Sequence, residues 1–411
     1  MLTVFADRAI PVLLVLLLVA LTASVTAIEV LAALLVLLTI VRLLDPERRR
    51  RFGWPLAAPL VAFALVTLAS AAASPEAPAA LRASKQLASL PLVWVVANGF
   101  ESGARARRGL GVFFAAVALA SLYAMVQAWA CTSAVPLPAW AGVALKVRLE
   151  ACRVTLPFRA KGFFSIYMTL AGTLTIATAL LLALLVLATR RARALLIPAG
   201  LAFVALGLTL VRSAWLGCGA ALGLLLVLSR RLVLILPVAV ALLVALTVRS
   251  PFQARFFSML DPAESTARER FYFWEAGVAM VGEAPLLGWG PGGVRRHYPE
   301  YKHPDAVRPR TGHLHNNLVQ LAAERGLLGL AAWLWIWVAF YVRATCVYRA
   351  LPPARADDRA LVAGSLAAVT GFLVMGLFEY NFGDSEVLHL VWVVAALPFV
   401  VARDALAPHQ A

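Results

Sequence analysis

The sequence predicts an all-α polytopic membrane protein with about 12 transmembrane helices and one large, mainly helical loop domain on the outer side. Three observations carry this. Of 411 residues, 62% are hydrophobic and 14% charged, with a mean hydropathy of +0.84, which excludes a disordered chain or an array of soluble domains. The apolar residues come in runs long enough to cross a bilayer. The formal charge is +16, and the arginines fall between those runs in alternation.

The first run, 9–24, follows Asp7 and Arg8 and reads as a span rather than a cleaved signal, because no soluble domain succeeds it. Runs at 27–44 and 55–73 continue the pattern, and 83–99 is interrupted by Lys85 and Pro91. Next come 109–130, 164–188, 194–211, 213–229 and 232–248. After a polar interval the last three runs lie at 326–345, 360–379 and 386–402. Arginine-rich connectors sit at Arg48 to Arg51, at Arg105, Arg107 and Arg108, at Arg190, Arg191 and Arg193, at Arg230 and Arg231, and between Arg343 and Arg359. Each follows an even-numbered run, so the positive-inside rule places both termini and all five connectors in the cytoplasm.

The chain therefore divides into 1–248, nine spans with short loops and a basic outer loop near 131–164; 249–325, the large outer loop domain; and 326–411, three spans and a cytoplasmic C-terminus. In the large loop, ESTARERFYFWEAGVAMV has helical spacing, GEAPLLGWGPGGV is rich in turn residues, and HLHNNLVQLAAERG reads as a helix leading into the tenth span. Cys131 and Cys152, near the same outer loop, are expected to form a disulfide there.

Arg193 and Arg230 are both expected inside, so the run between them crosses twice and Arg212, at its midpoint, falls in a tight outer hairpin. A lone arginine among apolar residues marks a ligand site or a head-group anchor. The outer loop holds His297, His303, His313 and His315, four of the six histidines. A zinc reading lacks a third ligand at defined spacing, since HExxH and cysteine clusters are absent, and no dense carboxylate group suits Mg²⁺. The alternative is a histidine acting as general base, with Arg159, Lys161, Arg212, Arg268 and Arg270 available to an anionic leaving group. GWGPGGV follows no strand and reads as a tight turn, not a dinucleotide fingerprint, though its amides suit an anion nest. The basic charge fits anionic lipids or a phosphate-bearing ligand; nucleic acid would require a soluble binding domain.

Four segments together carry a resemblance: RAKGFFSIYMTLAG after the fifth run, LVRSAWLG at the hairpin, PLLGWGPGGV, and HLHNNLVQLAAERGLLGL. With the many-spanning architecture, they resemble the bacterial O-antigen ligase family and its relatives, the O-antigen polymerases and protein O-oligosaccharyltransferases. The resemblance implies a glycosyltransferase of the bacterial inner membrane with its active site facing the periplasm, which would make the loop domain periplasmic. It implies a glycan donor on undecaprenyl pyrophosphate, a lipid A core sugar as acceptor, inversion at the anomeric carbon, and no metal or other cofactor. By the same resemblance His313 matches the base, Arg212 the hairpin arginine, Arg159 or Lys161 the basic position before Gly162, and Arg270 a further cation. His315 and Asn316 are supporting positions. The family often carries Ser-Arg-Gly at the hairpin, whereas Val211, Arg212 and Ser213 stand here, so only the arginine transfers. A polymerase would use the same donor with a second lipid-linked glycan as acceptor. A transporter of lipid-linked glycans would instead show mid-membrane ionisable residues, and Glu29 is the main one within these runs.

Overall fold

In the computed structural model the described residues are 2–132, 158–188, 190–230, 243, 246–247, 249–259, 261 and 264–406. They are helical and contain no strand. In chain order the helices are α1 (Leu2–Ala20), α2 (Val25–Leu43), α3 (Pro46–Arg51), α4 (Ala57–Ala73), α5 (Ala77–Ala83), α6 (Leu92–Gly99), α7 (Gly103–Thr132) and α8 (Tyr167–Leu187). They continue as α9 (Leu196–Leu208), α10 (Arg212–Ser229), α11 (Pro251–Phe257), α12 (Ser265–Glu283), α13 (Gly293–Tyr301), α14 (Asn317–Ala350), α15 (Ala356–Met375) and α16 (Ser385–Ala405).

Eight of the described helices are long and apolar enough to cross a membrane: α1, α2, α7, α8, α10, α14, α15 and α16. Hydropathy alone overstates two neighbours. The run at 83–99 is no single helix: Ser84–Ser89 winds as a 3₁₀ turn, and Pro91 precedes the short α6, so the segment breaks in two. The run at 194–211 yields only the 13-residue α9, because Leu210 takes a left-handed conformation and starts a new helix at Arg212. The ninth run, 232–248, lies almost entirely outside the described residues.

The bundle is layered by burial. Helices α8, α15 and α16 are apolar all round and enclosed, while α1 and α2 bury a single stripe. On the outer helices Val12, Leu16, Val30, Leu34, Leu37, Val338 and Val342 face outward. An apolar belt of this kind is disfavoured in water and suited to hydrocarbon. Within the bundle small residues let backbones approach: a Cβ at Gly217 of α10 would lie 2.5 Å from the Gly371 carbonyl oxygen of α15. At one end Asp7 pairs with Arg42 and Arg48, Arg107 with Asp358, and the Gly103 amide with Asp404. The candidate site residues collect at the other end.

Helix α14 is two helices merged across a kink. Gly326 has φ 66° and ψ −176°, which removes it from the helical ladder. The turn PLLGWG satisfies the groups this frees: Leu327 and Leu328 amides donate to the Pro285 and Leu286 carbonyls, and the Trp289 amide donates to the Ala323 carbonyl. The glycine turn read from the sequence thus serves a neighbouring backbone. A side chain at Gly326 would meet the Leu286 carbonyl as well as the unfavourable φ. Gly326→Ala is therefore expected to cost more than about 4 kcal/mol, the range reserved for backbone or core failure, read as loss of the monodisperse peak and of the thermal transition in detergent.

A smaller apolar core forms beside this turn from Phe273, Ala276, Met280, Val294, Tyr298, Leu314 and Ala323, joining α12, α13 and the first turns of α14. Cys218 and Cys346 are free thiols and Cys131 is disulfide-bonded. Cys152, the expected partner, lies outside the described residues, as do Lys146, Arg148 and Arg153 of the basic loop.

Candidate active site

The HLHNN segment is fixed before α14 begins. Asn316 caps the helix, its side-chain oxygen accepting from the Leu318 and Val319 amides at 2.8 and 3.2 Å. Leu314 is fully buried in the smaller core, and its amide donates to Gln320 Oε1 at 2.8 Å. His315 adopts the left-handed region, φ 51°, which turns its ring back toward His313. The two rings meet edge to face with centroids 4.2 Å apart. Of His297, His303, His313 and His315 only the last two come together. His297 packs on Trp289 and His303 stacks on Tyr272.

A second loop, between α15 and α16, closes on the first. The Asn317 amide donates to the Gly376 carbonyl at 2.7 Å, Asn316 Nδ2 to the Leu377 carbonyl at 2.9 Å, and Asn317 Nδ2 to Asn381 Oδ1 at 2.7 Å. This pairing delivers Glu379, a residue the sequence reading did not single out. Its carboxylate, 4% exposed, accepts from His315 Nδ1 at 3.0 and 3.1 Å. His313 Nδ1 lies 3.9 Å from Oε1 and Arg270 Nη2 3.8 Å from Oε2. Burial raises the Glu379 carboxyl, but the His315 hydrogen bond and the charges of His315, His313 and Arg270 together bring it below the usual range. Burial and the charge of His315 push His313 down to about 4, against the opposing pull of Glu379. His313 is consequently neutral near pH 7, with a lone pair to offer.

Arg212 opens α10 as expected, but it is 8% exposed and well partnered. Its Nη1 donates to the Ser258 carbonyl and hydroxyl at 3.1 and 3.2 Å, and Nη2 reaches Glu264 Oε2 at 2.8 Å. Glu264 also caps α12 and binds Arg255 at 3.1 Å through its other oxygen. Although burial raises this carboxyl, the hydrogen bond from Arg212 leads the effects that hold it down at about 2. Arg270 follows Glu264 along α12 and links the arginines to the histidines. Burial lowers Arg255, followed by the charges of Arg212 and then Arg159. Arg159 lies against Tyr167, donating to its hydroxyl at 2.8 Å. Lys161 is exposed on the same loop; its backbone amide donates to Gln127 Oε1 and its carbonyl accepts from the Phe164 amide.

His313, His315 and Glu379 have donor atoms within 4.8 Å of one another, and Glu379 supplies the third partner missing from the sequence pattern. Their use favours proton handling over zinc: both carboxylate oxygens already hold His315 Nδ1, and the Arg270 guanidinium faces the same carboxylate. Arg159, Arg212, Arg255 and Arg270 bring four positive charges, while the carboxylates they meet, Glu264 and Glu379, bring two negative ones. Among these described residues guanidinium outnumbers carboxylate beside a neutral imidazole.

The fold and site define a polytopic helical membrane protein with an enclosed cationic cluster facing a histidine pair, an arrangement suited to an anionic leaving group and a hydroxyl nucleophile. Residues 197–334 match a family model described as O-antigen ligase, which supports the O-antigen ligase family and with it a glycosyltransferase acting in a membrane. The matched stretch contains Arg212, Arg255, Glu264, Arg270, His313 and His315, whereas Arg159, Lys161 and Glu379 fall outside it. A search of curated proteins found no match.

Proposed function

We propose that the protein transfers a glycan from undecaprenyl pyrophosphate to a sugar hydroxyl of the lipid A core, in the periplasmic leaflet of the bacterial inner membrane, with inversion and without a metal. The observation that carries this reading is the excess of guanidinium over carboxylate beside a neutral, partly open His313. The Arg212, Arg255, Arg159 and Arg270 side chains receive the pyrophosphate, with Lys161 at the mouth. His313 takes the acceptor proton as the acceptor oxygen bonds to the anomeric carbon. The bond from that carbon to the pyrophosphate breaks, and its electron pair leaves on the pyrophosphate oxygen. Fixed arginines stabilise the charge developing there without reorganising. His315 and Asn316 hold the base loop in shape.

Purified protein given undecaprenyl-pyrophosphate-linked glycan and lipid A core should yield the inverted glycoside and free undecaprenyl pyrophosphate, at a rate unchanged by a strong chelator. Extension of the donor glycan with no transfer to lipid A core would move the assignment to a polymerase. Chelator loss restored by zinc would move the His313, His315 and Glu379 trio to metal chemistry.

A further inference from the structure

We infer that Glu379 is the positioning residue for the His313 base, and that it passes from Arg270 to His313 when the donor binds. This rests on the function proposed above. The Glu379 carboxylate lies at a junction: His315 Nδ1 binds it, while Arg270 and His313 each stand just outside hydrogen-bond range, at 3.8 and 3.9 Å. His313 Nδ1 is buried without a hydrogen-bond partner, and Glu379 Oε1 is the acceptor facing it. A buried polar nitrogen left in that state is unfavourable unless a partner arrives.

The ring is also the more open of the pair, its side chain 35% exposed against 11% for His315. If Nδ1 carries the proton toward Glu379, the Nε2 lone pair is left for the acceptor hydroxyl. Arg270 opposes this in the resting protein, because it draws on the same carboxylate and its charge disfavours an imidazolium. A pyrophosphate bound by Arg270 neutralises that charge and frees the carboxylate. The acceptor proton then passes to Nε2, the imidazolium formed keeps its Nδ1 hydrogen bond to Glu379, and Glu379 itself stays ionised. The other groups facing His313 are His315 on the same loop, Tyr380 beside Glu379, and Arg308 on the preceding segment. Donor binding would thus prepare the base, which orders the reaction.

The test uses full-length protein with Glu379→Gln and Glu379→Asp, measuring undecaprenyl pyrophosphate binding, kcat, donor KM and the pH profile of kcat/KM. Glu379→Gln should lower kcat by about 10²-fold, the scale of a misplaced catalytic group, while undecaprenyl pyrophosphate binds at least as tightly as before because Arg270 has lost its competitor. The acid limb should move to lower pH: His313 must be deprotonated to act, and without the carboxylate its imidazolium is less stabilised. Glu379→Asp should recover part of kcat. Near-normal turnover by the Gln variant overturns the proposal, and so does a joint loss of turnover and donor binding with an unmoved limb, the mark of a structural role. If wild-type protein binds undecaprenyl pyrophosphate yet transfers to no acceptor, the function itself is rejected and this inference with it.

Discussion

His313→Ala is expected to reduce glycan transfer by about 10²- to 10⁴-fold, the usual contribution of a positioned general base, while undecaprenyl pyrophosphate still binds. The expectation depends on the neutrality of His313: partial burial and the His315 charge depress it to about 4, so the basic form prevails near neutral pH. Activity should accordingly rise through the acid range and level off well below pH 7. Among the described residues His313 Nδ1 has no hydrogen-bond partner, in contrast with His315, whose Nδ1 is bound to Glu379. Its removal should leave the melting temperature within a few degrees of wild type. His315→Asn, which tolerates the left-handed backbone, should reduce transfer less, because it disturbs the base only through Glu379. A fully active His313→Ala variant would exclude the residue from proton transfer.

Arg212→Ala should suppress donor use as strongly and, unlike His313→Ala, should also weaken the protein. In the sequence Arg212 stands as a lone arginine among apolar residues at a hairpin, with no partner in view. The structure corrects this: Arg212 joins the start of α10 to Ser258 and to the cap of α12 through Glu264. Truncation leaves Glu264 largely enclosed with Arg255 as its remaining guanidinium, a loss of about 1 to 3 kcal/mol for a charged buried partner. Arg212→Lys should restore part of the stability and little of the turnover, since an ammonium cannot reproduce the fork that serves Ser258 and Glu264 together. Thermal unfolding and single-turnover transfer, measured on the same preparations, separate the two effects. Normal turnover with lowered stability would make Arg212 a structural anchor only.

The order of apolar runs set Arg212 at the junction of two of them, where the structure begins α10. Clustering drew attention to four histidines, and the resemblance of HLHNNLVQLAAERG to the family pattern singled out His313 with His315 beside it. Glu379 escaped because its relation to them spans more than sixty residues and depends on backbone events: the left-handed turn at His315 and the paired loops at Asn317 and Gly376. Hydropathy had placed Glu379 at the end of a span, whereas α15 stops at Met375 and leaves it in a loop. Arg255 and Glu264 were hidden for a related reason, since nothing local in the sequence says that a cap residue will also bind two arginines. The broken segment at 83–99 shows the same limit from the other side. Apolarity measures tolerance for lipid, and Pro91 with its preceding 3₁₀ turn decides continuity.

The His-bearing loop is tied by backbone and amide bonds to the connector between α15 and α16, whereas Arg255, Glu264 and Arg270 belong to α11, α12 and the residues that cap them. The proposed base is therefore bonded to the membrane bundle, with Leu314 beside it packed into the core of α12, and most of the donor's counter-charge sits on the helices packed over the bundle. Of the two gaps around Glu379, only that to Arg270, 3.8 Å, crosses between these helices and the tied loops; that to His313, 3.9 Å, lies within the loops. A sliding motion of α12 by less than a helical turn would change the distance from Arg270 to Glu379, so a pressure or viscosity dependence of turnover would report the mechanical coupling between seizing one substrate and deprotonating the other.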